Sequence, residues 1–92
     1  MIASFKNRDT ERIALGESVP RFWAVAAQAH RKLYLIPLAR QISDLAATRG
    51  NRLEKLHGDR EGQWSIRINN RWRICFEWRS DSAFEVEIVD YH

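Results

Sequence analysis

From Trp64 onward the chain alternates apolar and polar residues with period two, and this pattern constrains the fold more than any other feature. Trp64, Ile66 and Ile68 alternate with Ser65, Arg67 and Asn69; Trp72, Ile74, Phe76 and Trp78 alternate with Arg73, Cys75, Glu77 and Arg79; Phe84, Val86 and Ile88 alternate with Glu85, Glu87 and Val89. Successive side chains of a strand point to opposite faces, so the pattern predicts three consecutive half-buried strands. Asn69-Asn70-Arg71 and Ser80-Asp81-Ser82 supply the turns. A two-residue loop between the first two strands would place Ile66 opposite Arg73 and mix the faces. A three-residue loop over Asn69 to Arg71 pairs Ile68 with Trp72, Ile66 with Ile74, Trp64 with Phe76 and Arg67 with Arg73. A one-residue slip would send an apolar set into water, so the odd loop is expected.

Before Trp64 the signals are helical. Ile2 to Phe5 reads as a short strand and Asp9 to Leu15 as a short helix stopped by Gly16. Ser18 to Pro20 resembles a helix start, with Ser18 as cap. Trp23, Ala26, Ala27, His30, Leu33 and Tyr34 then recur at helical spacing, which makes Trp23 and Tyr34 core residues and His30 a packed histidine. Pro37 should end or kink this helix near Ile36. A shorter helical piece is expected over Gln41 to Ala47. The predicted class is α+β: an N-terminal strand, two helices, then a three-strand antiparallel meander whose apolar face packs on the helices. At 92 residues the chain has length for one core and not for two, so residues 1–92 are read as one domain.

Charge is unevenly distributed. Between Arg49 and Arg73 lie seven basic residues, Arg49, Arg52, Lys55, Arg60, Arg67, Arg71 and Arg73, against three acids, a net +4. Between Glu77 and Asp90 five acids face one base, a net −4. A basic middle suits a polyanion such as nucleic acid, and it also suits a solvated surface balanced elsewhere in the fold. No apolar run reaches the length of a membrane span, and the first residues lack the apolar stretch of a signal peptide. With one cysteine, Cys75, no internal disulfide framework is available, and a cytoplasmic protein is expected.

Three groups carry possible chemistry. Arg67 and Arg73, side by side on the sheet's second face, repel each other unless an anion lies between them or Glu85 and Glu87 on the next strand neutralise them. His57, in the polar stretch Lys55 to Gly62, is either a proton-transfer group or an ordinary loop histidine. The run Asp90-Tyr91-His92 offers a carboxylate, a phenol and an imidazole for acid–base work, or is a frayed end. Strict alternation puts Tyr91 on the Arg73 face and Asp90 and His92 on the other. Arginine, histidine and carboxylate are together the parts that activate a ribose 2′-hydroxyl and stabilise a phosphorane-like transition state. Zinc-finger, phosphate-loop, dinucleotide and nucleophile-elbow motifs are absent; no metal or cofactor is expected.

Asn51-Arg52-Leu53-Glu54-Lys55-Leu56, Gly58-Asp59-Arg60, Gln63 to Asn69, Trp72 to Phe76 and the run Val86 to His92 resemble the HigB toxins of the RelE/ParE superfamily, over essentially the whole chain. The resemblance implies helices against a small antiparallel sheet and metal-independent, ribosome-dependent cleavage of messenger RNA. It also implies a helix-turn-helix antitoxin (HigA-like) that binds the toxin and, through itself alone, promoter DNA. Carried over residue by residue, Arg73 matches the arginine at the scissile phosphate, and Asp90, Tyr91 and His92 match the functional last residues. His57 stands where lysine is expected. Arg67, Arg71, Arg60, Lys55 and Arg52 are expected to hold RNA. Two other functions fit the same superfamily: a ParE-like gyrase poison, and a catalytically silent RNA- or antitoxin-binding module.

Overall fold

The turn after Ile68 decides which face of every later strand is dry, and it has the three-residue form. The structure, a computed structural model, describes residues 1–90; Tyr91 and His92 lie outside the described residues. Strand β2 (Gln63–Arg67) pairs antiparallel with β3 (Trp72–Arg79) in the expected register, Trp64 opposite Phe76, Ile66 opposite Ile74 and Arg67 opposite Arg73. The Ile68 N–H donates to the Trp72 carbonyl at 2.9 Å. Asn69 closes the loop, its Oδ1 accepting from the backbone N–H of Arg71 (2.9 Å) and of Trp72 (2.8 Å).

β3 returns through a two-residue turn into β4 (Ser82–Asp90). Ser80 and Asp81 both have positive φ, 49° and 66°, the primed geometry whose twist matches that of the flanking strands. Regular alternation does not hold along β4. Between Cys75 opposite Glu87 and Glu77 opposite Phe84 the register shifts by one residue. The extra residue is Glu85, at φ 53°, as a β-bulge requires. Its consequence corrects the reading of Phe84 and Glu85: Ala83 is fully buried opposite Trp78, and Phe84 turns to the other face under the Arg79 guanidinium, 4.1 Å from its ring centre.

A fourth strand, β1 (Glu54–Lys55), pairs with β2 through Glu54 opposite Ser65 and Lys55 opposite Trp64. Two residues of mixed charge carry no periodicity that would mark a strand. The sheet order is β1-β2-β3-β4. Beyond β4 the first residues run parallel to it as isolated bridges, Ile2 to Ala83 and Phe5 to Val86, not as a full strand. Backbone bonds from Ala3, Lys6, Ala83 and Val86 join the two segments, Ser4 Oγ accepts from the Glu85 N–H (2.9 Å), and buried Thr10 Oγ1 accepts from the Ile88 N–H (3.0 Å). The exposed donors of an edge strand are thereby covered.

Three α-helices, not two, cover the apolar face: α1 (Arg8–Ala14), α2 (Ala26–Leu35) and α3 (Ile42–Ala47). Asn7 caps α1, accepting from the Thr10 N–H at 2.8 Å, and Gly16 stops it at φ 83°. Ser18 is not a cap; Pro20–Phe22 form a separate 3₁₀ turn before α2. Pro37 ends α2 as expected, within a 3₁₀ turn over Ile36–Leu38. The buried face of this stretch is Phe22, Val25, Ala29, Leu33 and Ile36. Trp23 and Tyr34 are therefore not core: they are 79% and 65% exposed, and His30 stands exposed between them, its Nδ1 2.9 Å from the Ile13 carbonyl. Two apolar stripes compete on this helix, and the one free of histidine wins, because burying an imidazole costs unless all its polar atoms are paired.

The α3 terminus is held by Asp44, whose Oδ2 accepts from the Arg40 (2.9 Å) and Gln41 (3.2 Å) backbone N–H groups. These bonds hold its carboxyl below the usual aspartate range. A depressed folded pKa contributes stability that is present above the unfolded value of about 4 and is lost as pH falls through the folded one. Asp44→Asn is expected to flatten the acid side of a melting-temperature profile taken between pH 3 and 6.

The core lies between the helices and the Ile66, Ile68, Ile74, Phe76, Val86 and Ile88 face of the sheet, with Trp64, Trp72 and Trp78 at its margins and Phe22 meeting Trp72 edge-on at 5.6 Å. Asn51, fully buried, ties the layers: its amide donates to the Leu45 carbonyl (3.0 Å), its Oδ1 accepts from Lys32, and its carbonyl accepts from the Arg67 N–H (2.6 Å). Burial lowers the Lys32 pKa.

Candidate functional site

The second face of the sheet carries the central candidate residues, Arg67 and Arg73. At its centre Arg73 and Arg67 stand opposite each other on β3 and β2. Arg73 is anchored by neutral oxygens: Nε donates to Ser65 Oγ (2.7 Å) and Nη2 to the Arg52 carbonyl (2.7 Å). Ser65 is fully buried, so its hydroxyl is a fixed support. Arg52 reaches this position at φ 45°, a left-handed conformation uncommon for a residue with a long side chain. Arg67 donates from Nε to the Asn69 carbonyl (3.1 Å) and from Nη2 to Asn70 Oδ1.

The glutamates are engaged elsewhere. Glu87 meets Arg60 at 2.8 Å and Lys6 at 3.9 Å, and Glu85 sits in the bulge. Among the described residues neither is an ion-pair partner of Arg67 or Arg73. Two guanidiniums facing each other across neighbouring strands are an arrangement that an anion between them would stabilise.

The other candidates are held by separate contacts. Arg60 also donates to Gln63 Oε1 (3.0 Å) and closes the Glu87 side. Lys55, on β1, lies 5.8 Å over the Trp64 ring. His57 precedes the 3₁₀ turn Gly58–Arg60, is exposed, and has Nδ1 3.5 Å from Glu61 Oε2. Asp90 is opposite Trp72, one residue beyond the Val89–Arg73 pair and on the other side of the strand, as alternation predicts. Its two oxygens receive Arg71 Nε (2.9 Å) and Nη2 (2.7 Å). Arg71, read from sequence as an RNA contact, is thus an ion-pair partner of a second candidate. Tyr91 and His92 lie outside the described residues.

Sequence reasoning missed Ser65 and the Arg71–Asp90 pair. The β2–β3 register brings Ser65 near Arg73, while Asp90 reaches the turn through the β3–β4 register, whose bulge alternation does not reveal. Cys75 shares this face, fully buried, and burial pushes its thiol pKa up, away from a reactive thiolate. Among the described residues no three His, Cys, Asp or Glu side chains gather as metal ligands, and no helix is long and apolar enough to cross a membrane.

Comparison with known proteins converges on one group. The family model for the RelE-like toxin of the type II toxin–antitoxin system HigB matches residues 20–92, which include every candidate residue named above. Endoribonuclease HigB of Proteus vulgaris is 38% identical over 64 residues, 66% of this chain and 65% of the relative. Toxin HigB-1 of Vibrio cholerae is 44% identical over 48 residues, 52% of this chain and 50% of the relative. The matched stretches thus span less than two thirds of either relative's length. With a family match over residues 20–92, most of its length, the chain belongs to the HigB-like family of RelE-like toxins of type II toxin–antitoxin systems.

Proposed function

We propose that this chain is an endoribonuclease acting on messenger RNA in the translating ribosome, a single toxin unit over residues 1–92 that works in the cytoplasm. The observation that carries the proposal is the facing Arg67–Arg73 pair at the centre of one sheet face, with Arg73 fixed by Ser65 and the Arg52 carbonyl, a position suited to a phosphodiester. The name of the Proteus vulgaris relative supports the reaction class.

The chemistry is an internal transesterification without a metal. A base removes the ribose 2′-hydroxyl proton; the oxygen attacks the adjacent phosphorus in line; the bond to the 5′-oxygen breaks as an acid protonates it. The products are a cyclic phosphate end and a 5′-hydroxyl end. Arg73, with Arg67, stabilises the charge that develops on the phosphoryl oxygens. His92 is assigned the base and His57 the acid, since an imidazole nitrogen can take up a proton and an imidazolium can give one. Tyr91 contacts the scissile nucleotide, and Arg52, Lys55 and Arg60 guide the flanking strand. A helix-turn-helix antitoxin is the proposed protein partner and the sole route to promoter DNA.

The test is cleavage of a defined message by the purified chain in a reconstituted translation system. Fragments with cyclic phosphate ends are expected, and binding that weakens with salt by a slope of about −0.7 per phosphate contact. Intact message together with trapped gyrase–DNA complexes would move the chain to the gyrase poisons.

A further inference from the structure

Asp90 is the last described residue of β4, and the chain continues from it into Tyr91 and His92. The β2–β3 turn beside it is unusually well fixed. Asn69 holds it from within through the Arg71 and Trp72 N–H groups, and Arg67 holds the Asn69 carbonyl. From this turn Arg71 lies against Trp72, 5.5 Å from the ring centre, and forks onto both oxygens of Asp90. The side chains are 63% and 31% exposed, so the pair is a surface ion pair whose worth is geometric more than stabilising. The fork engages both oxygens of the carboxylate, and its side of the strand is opposite to that of Arg73.

We propose that Arg71 is a positioning residue: through its fork onto Asp90 it ties the end of β4 to the rigid β2–β3 turn, and Asp90 serves as the anchor of that tie instead of as the general base. This rests on the ribonuclease reading for its consequence, since the residues that follow Asp90 must meet the phosphate held by Arg73. Misplacing reacting groups by about 1 Å costs on the order of 100-fold in rate.

The test uses the full chain with Arg71→Ala, Asp90→Ala, the double variant, and the exchanged pair Arg71→Asp with Asp90→Arg. Message cleavage gives kcat and KM. Both single variants are expected to lose about 100-fold in kcat with KM within about twofold. The double variant should be no worse than either single one, because residues acting as a unit are non-additive. The exchanged pair should recover most of the loss. A raised KM at unchanged kcat in Arg71→Ala would make Arg71 a direct RNA contact and overturn the proposal. So would full activity of that variant, or an exchanged pair as inactive as Asp90→Ala. Failure of the wild-type chain to cleave would instead remove the ribonuclease reading. The anchor is then judged by amide exchange at Trp72 and Asp90, expected faster in Arg71→Ala; unchanged exchange overturns it.

Discussion

Arg73→Ala abolishes the activity we propose: message cleavage is expected to fall by about 100- to 1,000-fold, the usual cost of removing one donor aimed at a developing oxyanion, and growth arrest on expression should be relieved. The variant carries a structural cost, since the buried Ser65 hydroxyl loses the guanidinium that donates to it. Leaving such a group without its partner costs about 1–3 kcal/mol. A lower melting temperature therefore accompanies the loss. Arg67→Ala separates the two effects, because Arg67 bonds the Asn69 carbonyl and Asn70 and leaves Ser65 untouched. It removes half of the facing pair with the Arg73 anchorage intact. Arg73→Lys should recover little, because one ammonium cannot hold the Ser65 hydroxyl and the Arg52 carbonyl and also present a flat edge to phosphate.

The largest effect on stability is expected at Phe76. Its ring is fully buried, stands opposite Trp64 across the β2–β3 ladder and meets Trp78 edge-on at 6.4 Å. Phe76→Ala removes the ring from a close-packed interior that cannot collapse around a sheet, at a cost of about 3–5 kcal/mol. Chains of this size have total stabilities of about 5–15 kcal/mol, and each kcal/mol moves the midpoint by roughly 4–8 °C. A fall of about 15–30 °C in the thermal midpoint is expected by circular dichroism. Phe76→Leu, closer in volume, should cost far less.

What could be read in the sequence was whatever repeats. Period-two alternation located β2 and β3 and, through the cost of a slip, their register down to Arg67 against Arg73. It failed in β4 at one residue, since a bulge adds a residue without changing composition, and Glu85 at positive φ has no signature that glycine would have provided. On α2 the period was right and the phase wrong. Trp23, Ala27, His30 and Tyr34 form as regular a stripe as Phe22, Val25, Ala29, Leu33 and Ile36, and only the sheet's demand for a face without imidazole separates them. The site was legible as a set of residue types and in its Arg67–Arg73 centre. Its supports were not: Ser65 looks like any outward serine, and the Arg71–Asp90 fork depends on a turn conformation that Asn69 fixes through two backbone bonds.

The segment over residues 1–6 that lines the outer side of β4 joins positions about eighty residues apart, as the Ser4–Glu85 and Thr10–Ile88 bonds record. Closing so long a loop is entropically late work. On a ribosome making this chain, residues 1–6 must wait as an unmatched ribbon until Ala83 to Val86 have followed them. The outer side of β4 therefore stays unsealed while all the intervening residues are made, which places this seam among the last contacts of the sheet to form.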